Sequence, residues 1–382
     1  MIPISDLKPA SAIVSGKTKT VYETNDPYTV AFRQKTASVT ADGTGTIDAD
    51  GEMAGQLVEN LLLQNENIFS FLNALDIPTT FRGRCGDFLF HESCLPLTLE
   101  FVYRGALCHG SSIIARHPEK YGSNITVNGQ QTAHHKFFNE DGTVILFDEP
   151  ILETFHKYCI VQRPDGSVRM MKESDAKKDP RYYADGNMTK FMHPDPILIS
   201  DRNDKRYWDV YDQKNTLVSE NKLTTIDRTS GEMDVAAQHT FVEIQKLKDD
   251  SYISYQDECF LQQMTLKIML AIDAACRNTV FKKAYINGGG KIKMGEELGY
   301  AVVIDGKCEF GRMPDGTYKL TDDMVSDNMR WAFGGKPSVS LRRMFQNYDS
   351  FEQKLLIAAT VADGTKDWQN PSFLRVVRQH LR

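Results

Sequence analysis

"YAVVIDGKCEFGRMPDGTYKLTDDMVSDNMRW", residues 300–331, joins a strand signal to a turn signal and then to a run of acids. The apolar run at 300–305 predicts a buried strand. "MPDGTY" at 313–318 places proline and glycine in the order of a tight turn, so the segment predicts a β-hairpin. If Asp315 and Gly316 form a two-residue turn, Pro314 lies opposite Thr317, and counting back sets Glu309 opposite Asp322. Two facing carboxylates repel. A divalent cation between them reverses the sign, since Mg²⁺ bound with phosphates is typically held by one or two carboxylates. The other reading is a three-residue turn with a bulge, which slips the register by one and sends one carboxylate to the opposite face. Asp305, Lys307 and Glu309 alternate, so they share a strand face, with Cys308 and Phe310 on the other. That face is either solvated or lines a cleft. Asp327 and Arg330 are three apart and would be surface neighbours on a helix.

Working outward, Phe260, Met264, Ile268, Ile272 and Cys276 recur every four residues and predict a helix over 257–277 with one apolar stripe. Gly288, Gly289 and Gly290 interrupt the chain after it. They read as a surface loop or a phosphate cradle, and no complete phosphate-loop pattern surrounds them. "SFEQKLLIAATVA" at 350–362 predicts a helix, followed by a polar tail. In the other direction, residues 117–235 are rich in Gly, Asp, Asn and Pro, which predicts short strands and long loops. Residues 17–34 predict two strands about a turn at Asn25, Asp26 and Pro27, residues 53–75 a helix, and residues 86–104 two more strands. The fold class expected is α+β. Its two parts are an N-terminal antiparallel lobe with one helix over 1–100 and a larger α+β lobe with C-terminal helices over 101–382.

The whole-chain numbers narrow the classes. A length of 382 residues fits two domains at roughly 100–200 residues each. A net charge of −6 argues against broad nucleic-acid binding, which needs basic excess. It leaves room for a local basic pocket that takes a phosphorylated small molecule. The seven cysteines are scattered without a C-x-x-C pair, which reads as free thiols in a reducing compartment. The first residues lack a basic flank followed by a long apolar run, and no stretch approaches the roughly 18–20 apolar residues of a membrane span. A cytoplasmic protein without nucleic-acid or membrane partners is expected, and the sequence leaves a homo-oligomer open.

"GKTKTVYET" at 16–24 places Lys17 and Lys19 on one strand face behind Gly16, where the backbone can approach a ligand closely. An ammonium-bearing strand suits polyphosphate, since lysine binds phosphate as a mobile point charge. Two solvated lysines that protect an edge strand are the alternative.

Four blocks in order, "GKTKTVYET" at 16–24, "LEFVYRG" with "HGSS" at 99–112, "DGKCEFG" at 305–311 and "DDMVSDNMRW" at 322–331, resemble the SAICAR synthetase family (phosphoribosylaminoimidazole-succinocarboxamide synthases of purine biosynthesis). "MHPDP" at 192–196 resembles that family's short His/Asp-Pro element. The resemblance spans roughly residues 12–360 and implies a two-lobed fold, with an antiparallel sheet lobe and an ATP-grasp- or kinase-like α+β lobe. It implies an ATP- and Mg²⁺-dependent ligase that joins L-aspartate to carboxyaminoimidazole ribotide through an acyl phosphate. It places Lys17, Lys19, Glu309 and Asp322 on the nucleotide, the two acids also on Mg²⁺, and Lys307, Asp305 and Arg104 at the reacting centre. Arg104, Ser111, Ser112, Asp327 and Arg330 would hold the ribotide and aspartate.

The chain departs from the family pattern in "RQKTASVTADG" at 33–43, where Gln34 and Lys35 stand in place of an expected aspartate. It departs also at Ser326, where a proline is usual. "YRGALCHGSS" is one residue longer than expected, so Ser111 and Ser112 compete for one role. These changes fall on the acceptor side. Three alternatives follow: a ligase for another carboxylated small molecule, a small-molecule kinase on the same scaffold, and a nucleotide-binding regulator without turnover.

Overall fold

The computed structural model describes residues 2–16, 18–36, 38–39, 46–47, 51–97, 99–106, 125–127, 130–132, 146–162, 168–172, 188–192, 209–211, 217–219, 255–325, 328–334 and 351–381. They form an α+β fold with several antiparallel sheets. The chain divides into two compact units, one built mainly from Met1–Leu95 and Lys267–Arg382, the other from Pro96–Phe137 and Ile145–Leu266. The chain leaves the first unit after Leu95, and everything from Lys267 onward belongs to it again.

The first unit opens with a five-stranded antiparallel sheet in the order Pro9–Ser15, Lys19–Thr24, Thr29–Gln34, Phe88–Glu92, Phe81–Cys85. The turn at Asn25–Pro27 falls where the sequence places it. Asp26 fixes it by accepting from the Tyr28 amide at 3.1 Å and the Thr29 hydroxyl at 3.0 Å. Those hydrogen bonds, with the Arg82 guanidinium, hold the Asp26 carboxyl below its usual range. The strand that contains Lys19 begins at Lys19 itself. Gly16 and Thr18 belong to the tight turn before it, closed by the Gly16 amide on the Lys19 carbonyl at 2.8 Å.

Helix α1, Gly51–Ala74, buries Leu57, Leu61, Ile68, Phe69 and Leu72. Counted from Leu57 the others stand 4, 11, 12 and 15 residues on, near whole turns of 3.6 residues, so they share one face. α1 packs along a C-terminal helix that the sequence also anticipates, here Phe351–Thr365. Buried polar residues stitch the seam: Gln64 donates to the Ala358 carbonyl at 2.8 Å, and Asn67 to the Ala362 carbonyl at 3.2 Å and the Thr365 hydroxyl at 3.1 Å. Each finds a partner, as burial demands.

The helix expected over 257–277 runs Tyr255–Arg277. Met264, Ile268, Ile272 and Cys276 are buried, but Phe260 is 51% exposed and Leu261 takes its place in the core. A strict four-residue step advances 400° against a 360° turn, so the stripe drifts off the buried face toward its ends. By length and composition alone this helix could cross a membrane. Much of it lies inside the protein, as in an ordinary core helix.

The expected polar tail instead forms a helix at Pro371–His380. Asn370 caps it by accepting from the Ser372 amide at 3.0 Å, Pro371 occupies the first turn, and Leu374 and Val377 face inward. Asn-Pro is a start signal that the polar composition concealed. Just before this helix, Trp368 packs against Phe71, Trp331 and Phe373 in one aromatic cluster.

In the second unit the strands Leu217–Ser219, Asp209–Tyr211, Met188–Met192, Leu146–Gln162 and Leu99–Ala106 lie side by side in that order. Val168–Lys172 also pairs with Leu146–Gln162. These are the short strands that the Gly- and Asp-rich stretch predicts, around one strand of 17 residues.

A cluster of acids and ammoniums in the first unit

Two antiparallel strand pairs of the first unit position the candidate site, the second a hairpin nested within the first. Ala301–Cys308 pairs with Met329–Phe333, and Phe310–Arg312 pairs with Tyr318–Leu320. In the second, Phe310 lies opposite Leu320 and Arg312 opposite Tyr318. The Met313 amide donates to the Thr317 carbonyl at 2.8 Å, and Gly316 adopts a positive φ of 84°. The loop is therefore Pro314–Gly316, the three-residue alternative, because a glycine in the left-handed region closes it. Glu309 faces Thr321, whose amide donates to the Glu309 carbonyl at 3.0 Å. The direct Glu309–Asp322 cross-strand pairing does not form.

The two carboxylates nevertheless meet on one ammonium. Asp322 lies beyond the strand that ends at Leu320, so the pleat no longer dictates its side. Lys307 Nζ sits 2.9 Å from Glu309 Oε1 and 3.9 Å from Asp322 Oδ2. Lys19 reaches the same acid from the N-terminal sheet: its Nζ is 2.5 Å from Asp322 Oδ1 and 3.2 Å from Asp323 Oδ2. It also sits 4.7 Å over the Phe32 ring. The hairpin is docked to that sheet by backbone bonds, Leu320 donating to the Pro78 carbonyl at 3.1 Å and accepting from the Thr80 amide at 2.9 Å. Residues about 300 apart in the chain thus converge.

The electrostatics follow from this packing. Burial by itself would depress the Lys19 pKa, but the attraction of Asp322, then of Asp323, outweighs it and holds the ammonium above lysine's ordinary range. Burial pushes the Asp323 carboxyl up, with Lys19 opposing. Behind them His91 is buried, and burial followed by the nearby Lys19 charge pushes its pKa down to about 3. It stays neutral at pH 7, stacked on Phe32 at 4.3 Å between centroids, with Nδ1 2.9 Å from the Thr80 hydroxyl.

The other expected site residues fall as follows. Asp305 and Arg330 are cross-strand partners, and the guanidinium grips the carboxylate through Nε at 2.7 Å and through Nη2. Arg330 stands on a strand, not on the helix that would make it a neighbour of Asp327. Asp305 is buried, while Lys307 and Glu309 are partly exposed on the same strand side, with Cys308 and Phe310 in the core. In the second unit, Arg104 pairs through Nε with the buried carboxylate of Glu153. Lys17, Ser111, Ser112 and Asp327 lie outside the described residues. The triple glycine forms a hairpin turn in which Asn287 Oδ1 accepts from the amides of Gly289 at 3.1 Å and Lys291 at 3.0 Å. Those amides serve the turn, as a loop reading predicts.

No family model matches the chain, and no curated protein matches it. Solved structures do. The phosphoribosylaminoimidazole-succinocarboxamide synthase of Ehrlichia chaffeensis is 12% identical over 93% of this chain and 99% of its own, with a TM-score of 0.46. A SAICAR synthetase in complex with ADP is 14% identical over 89% and 93%, with a TM-score of 0.42. The Saccharomyces cerevisiae SAICAR synthase complexed with SAICAR is 11% identical over 97% and 95%, with a TM-score of 0.37.

Three residues of the cluster escape sequence reasoning. Asp323 stands beside Asp322 and gives no signal that distinguishes the two. Asn65, which donates to Asp323 Oδ1 at 3.4 Å, sits in register with Leu61 and Phe69 on the buried stripe of α1, and a polar residue there is a signal that could have been read. His91 lies in the apolar run "FLFHES" at 88–93, where nothing local marks it.

Proposed function

We propose that this chain is an ATP-dependent carbon–nitrogen ligase that joins L-aspartate to carboxyaminoimidazole ribotide, in a cytoplasmic setting. The observation that carries the reading is the convergence of Lys19 and Lys307 on Glu309 and Asp322, the residue types and positions at which the family pattern holds Mg-nucleotide.

The donor set fits a magnesium ion. Glu309 and Asp322 offer hard oxygen donors whose present partners are ammoniums, and two carboxylates leave the remaining positions to phosphate oxygens and water. When bound there, the ion would neutralise phosphate charge that the protein's lysines balance only in part.

In this reading Lys19 and Lys307 face the triphosphate and stabilise charge as it moves toward the leaving ADP. The ribotide carboxylate oxygen forms a bond to the γ-phosphorus as the bond to ADP breaks. The aspartate amine then adds to the acyl phosphate carbon and expels phosphate, losing a proton. Arg330, aligned by its two-point grip on Asp305, would hold a substrate carboxylate or phosphate with the planar fork suited to either. Lys17, Arg104, Ser111, Ser112 and Asp327 enter the proposal through the sequence pattern.

The test is ADP release with carboxyaminoimidazole ribotide, with and without aspartate. Turnover only with both supports the ligase, whereas turnover with the ribotide alone and a stable phosphorylated product identifies a kinase. Glu309→Gln and Asp322→Asn should each lower the rate by about a hundredfold or more while leaving the fold intact. Near-normal turnover in either would overturn the assignment.

A further inference from the structure

The two acids that share Lys19 stand in different surroundings. The Asp322 side chain is 17% exposed and is also drawn toward Lys307, the ammonium that Glu309 holds. The Asp323 side chain is 5% exposed and built into the fold. Asn65 of α1 donates to Asp323 Oδ1 at 3.4 Å and accepts from the Met324 amide at 2.8 Å. Asn328 donates to the Asp323 carbonyl at 2.7 Å. Helix α1 and the segment that leads into Met329–Phe333 therefore fix Asp323, whereas Asp322 lies between the ammoniums of Lys19 and Lys307, for which an anionic ligand would compete.

We infer that Asp323 is a positioning residue: it is the standing counter-ion that keeps the Lys19 ammonium in place when Asp322 is engaged elsewhere. This deepens the proposed function, on which its nucleotide half rests. Two adjacent acids then divide the work. One exchanges partners as ligand arrives, and the other keeps the lysine from following it or swinging into solvent. A flexible four-carbon side chain needs such a tether, because lysine has little geometric preorganisation of its own.

The experiment reads Lys19 directly and without nucleotide. In protein labelled at lysine Nζ, the ¹⁵N signal of Lys19, assigned through Lys19→Arg, should be visible in the parent and in Asp322→Asn. It should vanish into fast exchange in Asp323→Asn. Loss in Asp322→Asn with retention in Asp323→Asn would overturn the inference. So would retention or loss in both, since the acids would then be equivalent. Circular dichroism identifies a variant that has merely unfolded. In that case Asn65→Ser, which releases Asp323 but keeps both charges, replaces it and should broaden the Lys19 signal. Calorimetric titration with Mg-ADP is the second readout. Asp323→Asn should raise the dissociation constant about tenfold, the scale of one hydrogen bond to a charged group, and Asp323→Glu should recover part of that loss. If the ¹⁵N pattern holds and ADP does not bind the parent, the tether stands and the nucleotide reading falls. If ADP binds and the ¹⁵N pattern is reversed, the tether falls alone.

Discussion

His91 shows what one side chain contributes at this site. Its ring is wholly buried against Phe32, Phe69 and Phe81, and its Nε2 has no hydrogen-bond partner among the described residues. A charged imidazole there would lack solvation and face the Lys19 ammonium, with the Asp322 carboxylate giving only partial relief. The folded-state pKa of about 3 lies below histidine's value of 6.5, so between those values the unfolded chain binds a proton that the native state refuses. Stability from this residue is therefore complete above about pH 6.5 and is lost as the pH falls toward 3. From pH 7 to pH 5 the loss amounts to about 2 kcal/mol. Chemical denaturation of the parent and of His91→Gln at both pH values isolates this share from that of the carboxylates. The parent should lose about 2 kcal/mol more than the variant, and equal losses would show that His91 does not carry the dependence.

At the scale of elements, two helical glycines make opposite predictions from the same chemistry. Gly55 in α1 has open space where a Cβ would stand, among the described residues. Alanine there should stabilise by about 0.5–1 kcal/mol through backbone entropy alone. Gly364, in the Phe351–Thr365 helix, lies so close to Phe281 that a Cβ would meet ring carbons at 2.3 Å. The ring is itself wedged against Trp331 and Phe333, so it cannot yield cheaply. Gly364→Ala should destabilise by about 1–3 kcal/mol despite the better helix propensity, and thermal melts of the two variants should move in opposite directions. The same elements show where a sequence speaks and where it is silent. Periodicity disclosed α1 and the 255–277 helix because burial repeats along a helix face. It misplaced Phe260 because a fixed step drifts from the true pitch. The 309–322 hairpin was visible from its turn, but its register depended on one residue of loop length, which Pro-Asp-Gly does not settle. The meeting of Lys19 with Asp322 was legible only through resemblance, since no local rule joins residues 303 apart.

At the scale of the molecule, the first unit is assembled from the two ends of the chain, and the site depends on both. Lys19 comes from the beginning, its acids from the end, and α1 is held by the Phe351–Thr365 helix along a seam that also secures Val325 just after those acids. Leu57 and Leu61 of α1 are almost fully buried there, and Phe71 packs edge-on against Trp368. Burying each such side chain contributes about 1.5–3 kcal/mol. The Gln64 and Asn67 amides would cost about 1–3 kcal/mol each if stripped of their acceptors. Those sums rival the whole margin of about 5–15 kcal/mol that keeps a domain folded. A chain ending at residue 350 should therefore lose the first unit as a cooperative structure, not merely its last two helices. Hydrogen exchange followed by mass spectrometry should find the α1 amides, protected in the intact protein, exchanging within seconds in the truncated one, with loss of the slow Lys19 ammonium signal. Protected α1 amides in the truncated chain would mean that the sheet alone supports the helix. The acids at 322 and 323 would then need another explanation for how they are held against Lys19.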